Sequence, residues 1–352
     1  MGDVDVVVVG GGQSGLATAH ALMRRGLRPV VLEASERAAG SWPQYYDSLT
    51  LFSPARYSGL PGMRFTGGDL DRYPRRDEVV AYLTAYAAHL DADVRTRSRV
   101  TAVRADGAGF AVDLDGGGTL VARAVVAASG TFGCPYRPDL PGLDRFSGQV
   151  LHAAGYRNPE PFVGQRVVVV GAGNSAVQIA TELATVAQVT LATRRPVRFL
   201  RQRTFGRDLH FWLKWTGIDT APLGRFVRAV PTQPVFDDGR YRAALAAGAP
   251  DRREVFAAVE DHKVTWPDGS AREVDTILLA TGYRPDLPYL ANLGAVDAAG
   301  RPLHRDGISR IHPGLAFVGL EWQRSPSSNS LRGVGRDAAR VARHLASHVS
   351  RI

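Results

Sequence analysis

Apolar and polar residues alternate in blocks along this chain. Val4–Val9 is a β-branched run of the kind that forms a strand buried on both faces. It runs through Gly10-Gly11-Gly12-Gln13-Ser14-Gly15 into a helical stretch, Leu16–Arg25, and then into a second apolar strand, Pro29–Leu32, that ends at Glu33. The unit occurs again as Val167–Val170, then Gly171-Ala172-Gly173-Asn174-Ser175-Ala176, a helix to about Val186 and a strand at Val189–Thr193. Two more apolar strands, Val125–Gly130 and Ile277–Gly282, end in small residues. Each is followed by the same hexapeptide, Tyr136-Arg137-Pro138-Asp139-Leu140-Pro141 and Tyr283-Arg284-Pro285-Asp286-Leu287-Pro288. Small residues let a backbone pass close to a cofactor or a second domain. The prolines force an extended exit, as a crossing between domains needs. A last helical pattern spans Arg336–His348.

The two glycine turns set the chemistry. In a strand–turn–helix context, Gly10 permits the tight turn, Gly12 lets the backbone approach a pyrophosphate, and Gly15 allows helix to pack on strand. The helix start then offers free N–H groups to phosphate. Glu33, 18 residues beyond Gly15, can accept hydrogen bonds from a ribose diol. The second turn lies 161 residues further on, and that offset puts Arg194, with Arg195 beside it, where the first unit has its acid. A carboxylate repels a 2′-phosphate, whereas a guanidinium binds one bidentately. The first site therefore suits FAD (or NAD) and the second NADPH. The fold class expected is α/β with two Rossmann-like dinucleotide-binding domains. Residues 1–155 and 288–352 would form a discontinuous FAD domain around an NADPH domain at 156–287.

Composition narrows the choice of function. One cysteine, Cys134, in 352 residues excludes an internal disulfide framework, a CxxC redox pair and a thiolate-built metal site. The net charge is +9, yet 41 of the 43 cationic side chains are arginine and no basic run exceeds two residues. Nucleic-acid binders cluster their charge, so nucleic acid is not expected as a partner. No segment reads as a signal peptide or membrane span, and a cytoplasmic protein is the expectation. Arg207–Trp215 has near-helical apolar spacing and an aromatic cluster. It could line a substrate channel, lie on a membrane surface, or pack in the core or a homodimer contact, and Arg225-Phe226-Val227-Arg228 is similar. His344 and His348 are four apart but lack a third ligand, so a solvated helix face is expected and no metal site.

Between the two units, Phe146-Ser147-Gly148-Gln149-Val150-Leu151-His152-Ala153-Ala154-Gly155-Tyr156 fits FxGxxxHxxxY, the identifying sequence of flavin-containing monooxygenases. Gly40-Ser41-Trp42 resembles the element that follows the FAD acid in these enzymes. The chain is similar to this class B family over nearly its whole length. It looks most like the short bacterial CzcO-like branch, and Gly40–Gly62 and Gly319–Gly335 resemble ArsO-type flavoproteins. The resemblance implies a glutathione-reductase-like FAD domain with an inserted NADP domain. It implies FAD at Gly10, Gly12, Gln13, Ser14, Gly15, Glu33, Ala34, Ser41, Trp42 and Gly130, and NADPH at Gly171, Gly173, Asn174, Ser175, Arg194 and Arg195. Thr281, Gly282 and Leu331 are expected beside the cofactors, Leu331 in a helix start that faces the flavin.

The implied activity is NADPH-dependent oxygenation of a small soft nucleophile (nitrogen, sulfur or an arsenic(III) species) by a flavin hydroperoxide formed from molecular oxygen. His152 is expected to couple the domains. Ser53 falls where larger family members carry an asparagine that supports the hydroperoxide, and a hydroxyl lacks the amide's reach. That departure keeps two other readings open, an NADPH oxidase releasing hydrogen peroxide and a non-catalytic flavin- and NADPH-binding sensor. Tyr156, where Baeyer–Villiger enzymes end the motif in tryptophan, argues against that reaction, and the lone Cys134 argues against disulfide reduction.

Overall fold

The computed structural model describes residues 4–227 and 233–352. Valine-rich runs too short for helices and buried on both faces become central strands. Val4–Val9 (β1), Pro29–Leu32 (β2) and Asp93–Arg95 (β3) lie parallel in a nine-stranded sheet. Val100–Asp106 (β4) and Gly109–Leu114 (β5) form an antiparallel arm on Thr119–Ala127 (β6), which pairs in parallel with the other side of β1. Leu315–Phe317 then adds to β6, so the C-terminal part of the chain completes a sheet that the N-terminus begins.

The second sheet has five parallel strands in the order Asp251–Glu254, Gln188–Thr193 (β9), Arg166–Val170 (β8), Thr276–Leu279 and Gln149–His152 (β7). The boundary expected at 155/156 leaves β7 with the first unit. Its register, from Gln149 opposite Thr276 to His152 opposite Leu279, puts it in the second sheet instead. As an edge strand it is exposed at Gln149 and buried only at His152, so it lacks the apolar run that marks the inner strands.

Helices Gln13–Met23 (α1), Arg76–His89 (α2) and Val334–Val349 cover one face of the first sheet through Leu16, Leu22, Val79, Leu83, Val341 and Leu345. The last of these buries Val334, Ala338, Val341, Ala342, Leu345 and Val349, a single helical stripe. The β4–β5 arm and residues 287–295 cover the opposite face. On the second sheet, Asn174–Leu183 (α3) packs on one face, and a small antiparallel sheet with buried Trp266 packs on the other. Each fully buried leucine contributes about 1.5–3 kcal/mol, so these cores rather than helix propensity hold the elements in place.

The two hexapeptides start from one antiparallel crossing between the sheets, each beginning beside the residues that precede the other. The N–H of Tyr136 donates to the carbonyl of Gly282 at 2.9 Å, that of Arg284 to the carbonyl of Cys134 at 2.9 Å, and Pro135 bridges Tyr283. The Arg284 guanidinium lies 4.4 Å from the Tyr136 ring centre. Between β9 and Asp251, the chain makes an excursion that holds the short helix Leu209–Thr216 (α4). The pattern that predicts a helix from Arg207 starts at Leu209 instead, because the Asp208 carboxylate caps it by accepting from the N–H of His210. In the run Arg225–Arg228, Arg228 lies outside the described residues.

Candidate functional site: one cavity shared by two glycine turns

Both glycine turns sit at the C-terminal ends of central strands and open into one cavity of about 1560 Å³. That exceeds the roughly 300–1,000 Å³ of a site for one small ligand. Gly10, Gly12, Gln13, Ser14, Glu33, Ala34, Ser41 and Gly130 line it from the first unit. Gly171, Gly173, Asn174, Ser175, Arg194, Arg195, Thr281 and Gly282 line it from the second.

The first turn fits a dinucleotide. Gly10 has φ +106, and a Cβ there would lie 2.6 Å from the carbonyl oxygen of Ala128. Gly15 is off the cavity, where a Cβ would strike the carbonyl of Gly10. The α1 cap, Gly12, has no side chain to accept from the first turn, and no acid occupies that turn, so its N–H groups are free for a pyrophosphate. Buried Glu33 accepts from the N–H of Gly11 through Oε2 at 2.7 Å and from the N–H of Ser35 through Oε1 at 2.8 Å. Each carboxylate oxygen retains a lone pair for a ribose hydroxyl.

The second turn repeats this design with opposite charge. The α3 cap, Gly173, again leaves the first turn free, without a side-chain cap or an acid. A Cβ on Gly173 would meet no atom from elsewhere in the fold within 4 Å, so packing does not demand glycine there and a methyl group would enter the cavity. Arg194 and Arg195 are exposed at this end with Arg198 beside them, and none of the three forms an ion pair among the described residues.

Four of the expected residues lie behind the wall. Nδ1 of buried His152 accepts from the N–H of Ala154 at 3.0 Å, so Nε2 carries the proton and donates to the carbonyl of Gly282 at 3.1 Å. Burial lowers its pKa and keeps it neutral. Trp42 donates from Nε1 to Oε1 of Gln13 at 2.7 Å and lies 5.6 Å from the Tyr45 ring, meeting the cavity through those two wall residues. Leu331 is core, packed with α1. The Ser53 hydroxyl is 2.9 Å from that of Ser58, and Phe52 rather than Ser53 forms the wall. On the last helix, His344 binds the carbonyl of Pro313, and no metal-binding cluster occurs among the described residues.

Two features escaped the sequence reading. An aromatic series crosses between the units, with Tyr45 4.7 Å from Phe132, Phe132 stacked at 5.4 Å on Tyr283, and Tyr283 edge-on at 5.1 Å to His152. Tyr45, Phe132 and Tyr283 line the cavity, and burial pushes the Tyr45 hydroxyl up to about 12. The second feature is a buried Asp208–His210 pair, with Nδ1 of His210 2.8 Å from Oδ1 of Asp208. Burial opposes the charge on Asp208, but hydrogen bonds from His210, Tyr73 and Gln202 outweigh it and hold the carboxyl ionised. His210 is kept neutral by burial. The same Gln202 amide donates to the carbonyl of Phe52 at 2.9 Å, tying the excursion to the cavity wall. No sequence motif marks the pair.

Two nucleotide sites joined by one cavity define a flavoprotein oxidoreductase. Residues 7–215 match the family described as pyridine nucleotide-disulphide oxidoreductase. The chain belongs to that family, in its CzcO-like branch of class B flavin monooxygenases. A CzcO-like oxidoreductase of Geobacillus kaustophilus is 30% identical over 351 residues, covering 98% of this chain and 99% of its own. A flavin-containing monooxygenase from Stenotrophomonas maltophilia superposes with a TM-score of 0.87 at 33% identity, covering 99% of each chain. An indole-3-pyruvate monooxygenase of Oryza sativa subsp. japonica is 33% identical, covering 96% of this chain and 90% of its own. The family implies FAD and NADPH as the cofactors. No helix among the described residues is long and apolar enough to cross a membrane.

Proposed function

We propose that this enzyme uses NADPH and molecular oxygen to place one oxygen atom on a small soft nucleophile, a nitrogen, sulfur or trivalent arsenic centre. The observation that carries this reading is that one cavity is lined both by Glu33 and by Arg194 and Arg195, which form no ion pair among the described residues. This lining fits one nucleotide with a free ribose and another with a 2′-phosphate. Bound FAD, reduced by NADPH, supplies the oxygen-activating chemistry. The chain binds the two pyrophosphates at α1 and α3, holds the ribose at Glu33, and clamps the 2′-phosphate between guanidinium groups. Tyr45, Phe132 and Tyr283 present apolar faces that exclude water between the sites. The monooxygenase relatives support oxygen transfer as the outcome, and the likeness of Gly40–Gly62 and Gly319–Gly335 to ArsO-type flavoproteins is the reason to include arsenic among the substrates. The lone cysteine suits a reducing compartment, the cytoplasm.

The test is turnover with NADPH under isotopically heavy dioxygen in the presence of amines, thioethers and arsenite. Heavy oxygen in the product is expected; products carrying only solvent oxygen would overturn the reading. The placement of Ser53 favours a second reading, an NADPH oxidase. With its hydroxyl turned to Ser58, the segment offers no side-chain donor at that position. Peroxide in stoichiometric amount with every candidate nucleophile would establish it.

A further inference from the structure

Among the described residues, six of the eleven large apolar side chains left exposed fall between positions 200 and 226: Leu200, Phe205, Trp215, Ile218, Leu223 and Phe226. The charges of this segment are sorted by sign. Arg201, Arg203, Arg207, Lys214 and Arg225 are all exposed, and none forms an ion pair among the described residues. Its two acids are both turned inward. Asp208 is held by His210, Tyr73 and Gln202, and Asp219 pairs with Arg332 at 2.8 Å. The cations lie among the aromatics, with the Arg207 guanidinium 5.3 Å from the Phe211 ring centre and that of Arg225 4.9 Å from Phe226.

We infer that the exposed side chains of this excursion dock on an anionic lipid surface. Exposed aromatic and aliphatic side chains interleaved with unpaired cations suit the boundary between headgroup and acyl chain, where apolar burial and attraction to anionic lipid act together. A second copy fits less well, because a two-fold contact through this segment would set its five cations against their own equivalents. A nucleic acid would use the aromatics but leave Leu200, Ile218 and Leu223 exposed. The inner side of the same segment reaches the cavity. His210 on α4 stacks 6.2 Å from Phe52, a wall residue, so docking would set the cavity beside a reservoir of apolar molecules.

The FAD-loaded full-length protein is mixed with phosphatidylglycerol/phosphatidylcholine vesicles and with pure phosphatidylcholine vesicles, then floated on a density gradient. Binding to the anionic vesicles is expected at least tenfold above the neutral ones, with a blue shift of tryptophan emission as Trp215 enters the interface. Phe205→Ser with Phe226→Ser should lower the anionic partition at least tenfold at unchanged flavin content and melting temperature. Arg24→Ser with Arg25→Ser, which removes two charges elsewhere, should leave it within twofold. Absence of flotation, equal loss in both pairs of variants, or sedimentation showing a dimer that Phe205→Ser dissociates would each overturn the inference. Binding of an oligonucleotide that displaces the vesicles and is lost with the same aromatics would also overturn it.

Discussion

His152 donates through Nε2 to the carbonyl of Gly282, 130 residues away, and that carbonyl also receives the N–H of Tyr136. One oxygen thus gathers an edge strand, the end of a neighbouring strand and a crossing segment. Replacing His152 by Ala should cost about 1–3 kcal/mol, since Gly282 loses a buried donor and Ala154 its acceptor. The pH dependence follows from burial. The folded pKa lies below 6.5, so the unfolded chain takes up more protons, and this contribution is complete above 6.5 and lost as pH falls through the folded value. The unfolding free energy from urea titrations between pH 7 and 5 should therefore fall for the parent by up to about 1.4 kcal/mol per pH unit per such histidine. The fall should be shallower for His152→Asn.

Arg194→Ala and Arg195→Ala should each raise the KM for NADPH roughly 10- to 100-fold, as expected for loss of a charge-assisted contact of about 1.5–3 kcal/mol. The KM for NADH should stay within about twofold, because the ribose without phosphate makes no demand on a guanidinium. Equal effects on both nucleotides would remove Arg194 and Arg195 from 2′-phosphate recognition.

Two glycines of one turn should behave oppositely. A Cβ at Gly173 meets no atom from elsewhere in the fold, and φ there is −91, so Gly173→Ala should cost the apoprotein only the cap preference for glycine over alanine, about 0.5–1 kcal/mol. Its NADPH affinity should fall at least tenfold, because the methyl group enters the cavity. Gly171 has φ +148 and its Cβ would strike the carbonyl of Ala280, so Gly171→Ala should destabilise the apoprotein by about 1–3 kcal/mol. Calorimetry of the apoproteins with nucleotide titration separates the two.

Asp208→Asn should cost about 2 kcal/mol, since an amide cannot accept every bond that the carboxylate receives from His210, Tyr73 and Gln202. By loosening Gln202 it should free the Phe52 carbonyl and raise the fraction of NADPH consumed as peroxide. Phe52→Ala should raise that fraction more strongly, whereas Ser53→Ala should not change it. An effect of Ser53→Ala equal to that of Phe52→Ala would show that the Ser53 hydroxyl turns toward the cavity in the working enzyme.

What the sequence revealed, and what it hid, follows from the range of the interactions. The strand–turn–helix units were legible because most of their constraints are local: Gly15 answers to Gly10 and Glu33 to Gly11 within one unit. Gly10 itself, however, is held to glycine by Ala128 at the end of a neighbouring strand. The charge reversal at Arg194 was legible because the two units repeat. β7 was not, since an edge strand needs no apolar run and its pairing with Thr276–Leu279 is set by residues more than a hundred positions away. The Asp208–His210 pair stayed hidden for the same reason, because its partners Tyr73 and Phe52 come from the other unit. Trp42 and Leu331 show the converse: family position placed them near the flavin, but local packing set them behind the wall.

The paired hexapeptides carry a mechanical consequence. Two crossings of chain, cross-linked by backbone hydrogen bonds from Tyr136 to Gly282 and from Arg284 to Cys134 and each leading into two prolines, make a two-ply tie rather than two loose tethers. A relative shift of the two sheets therefore strains both crossings together, at the point where Gly282 and its histidine meet.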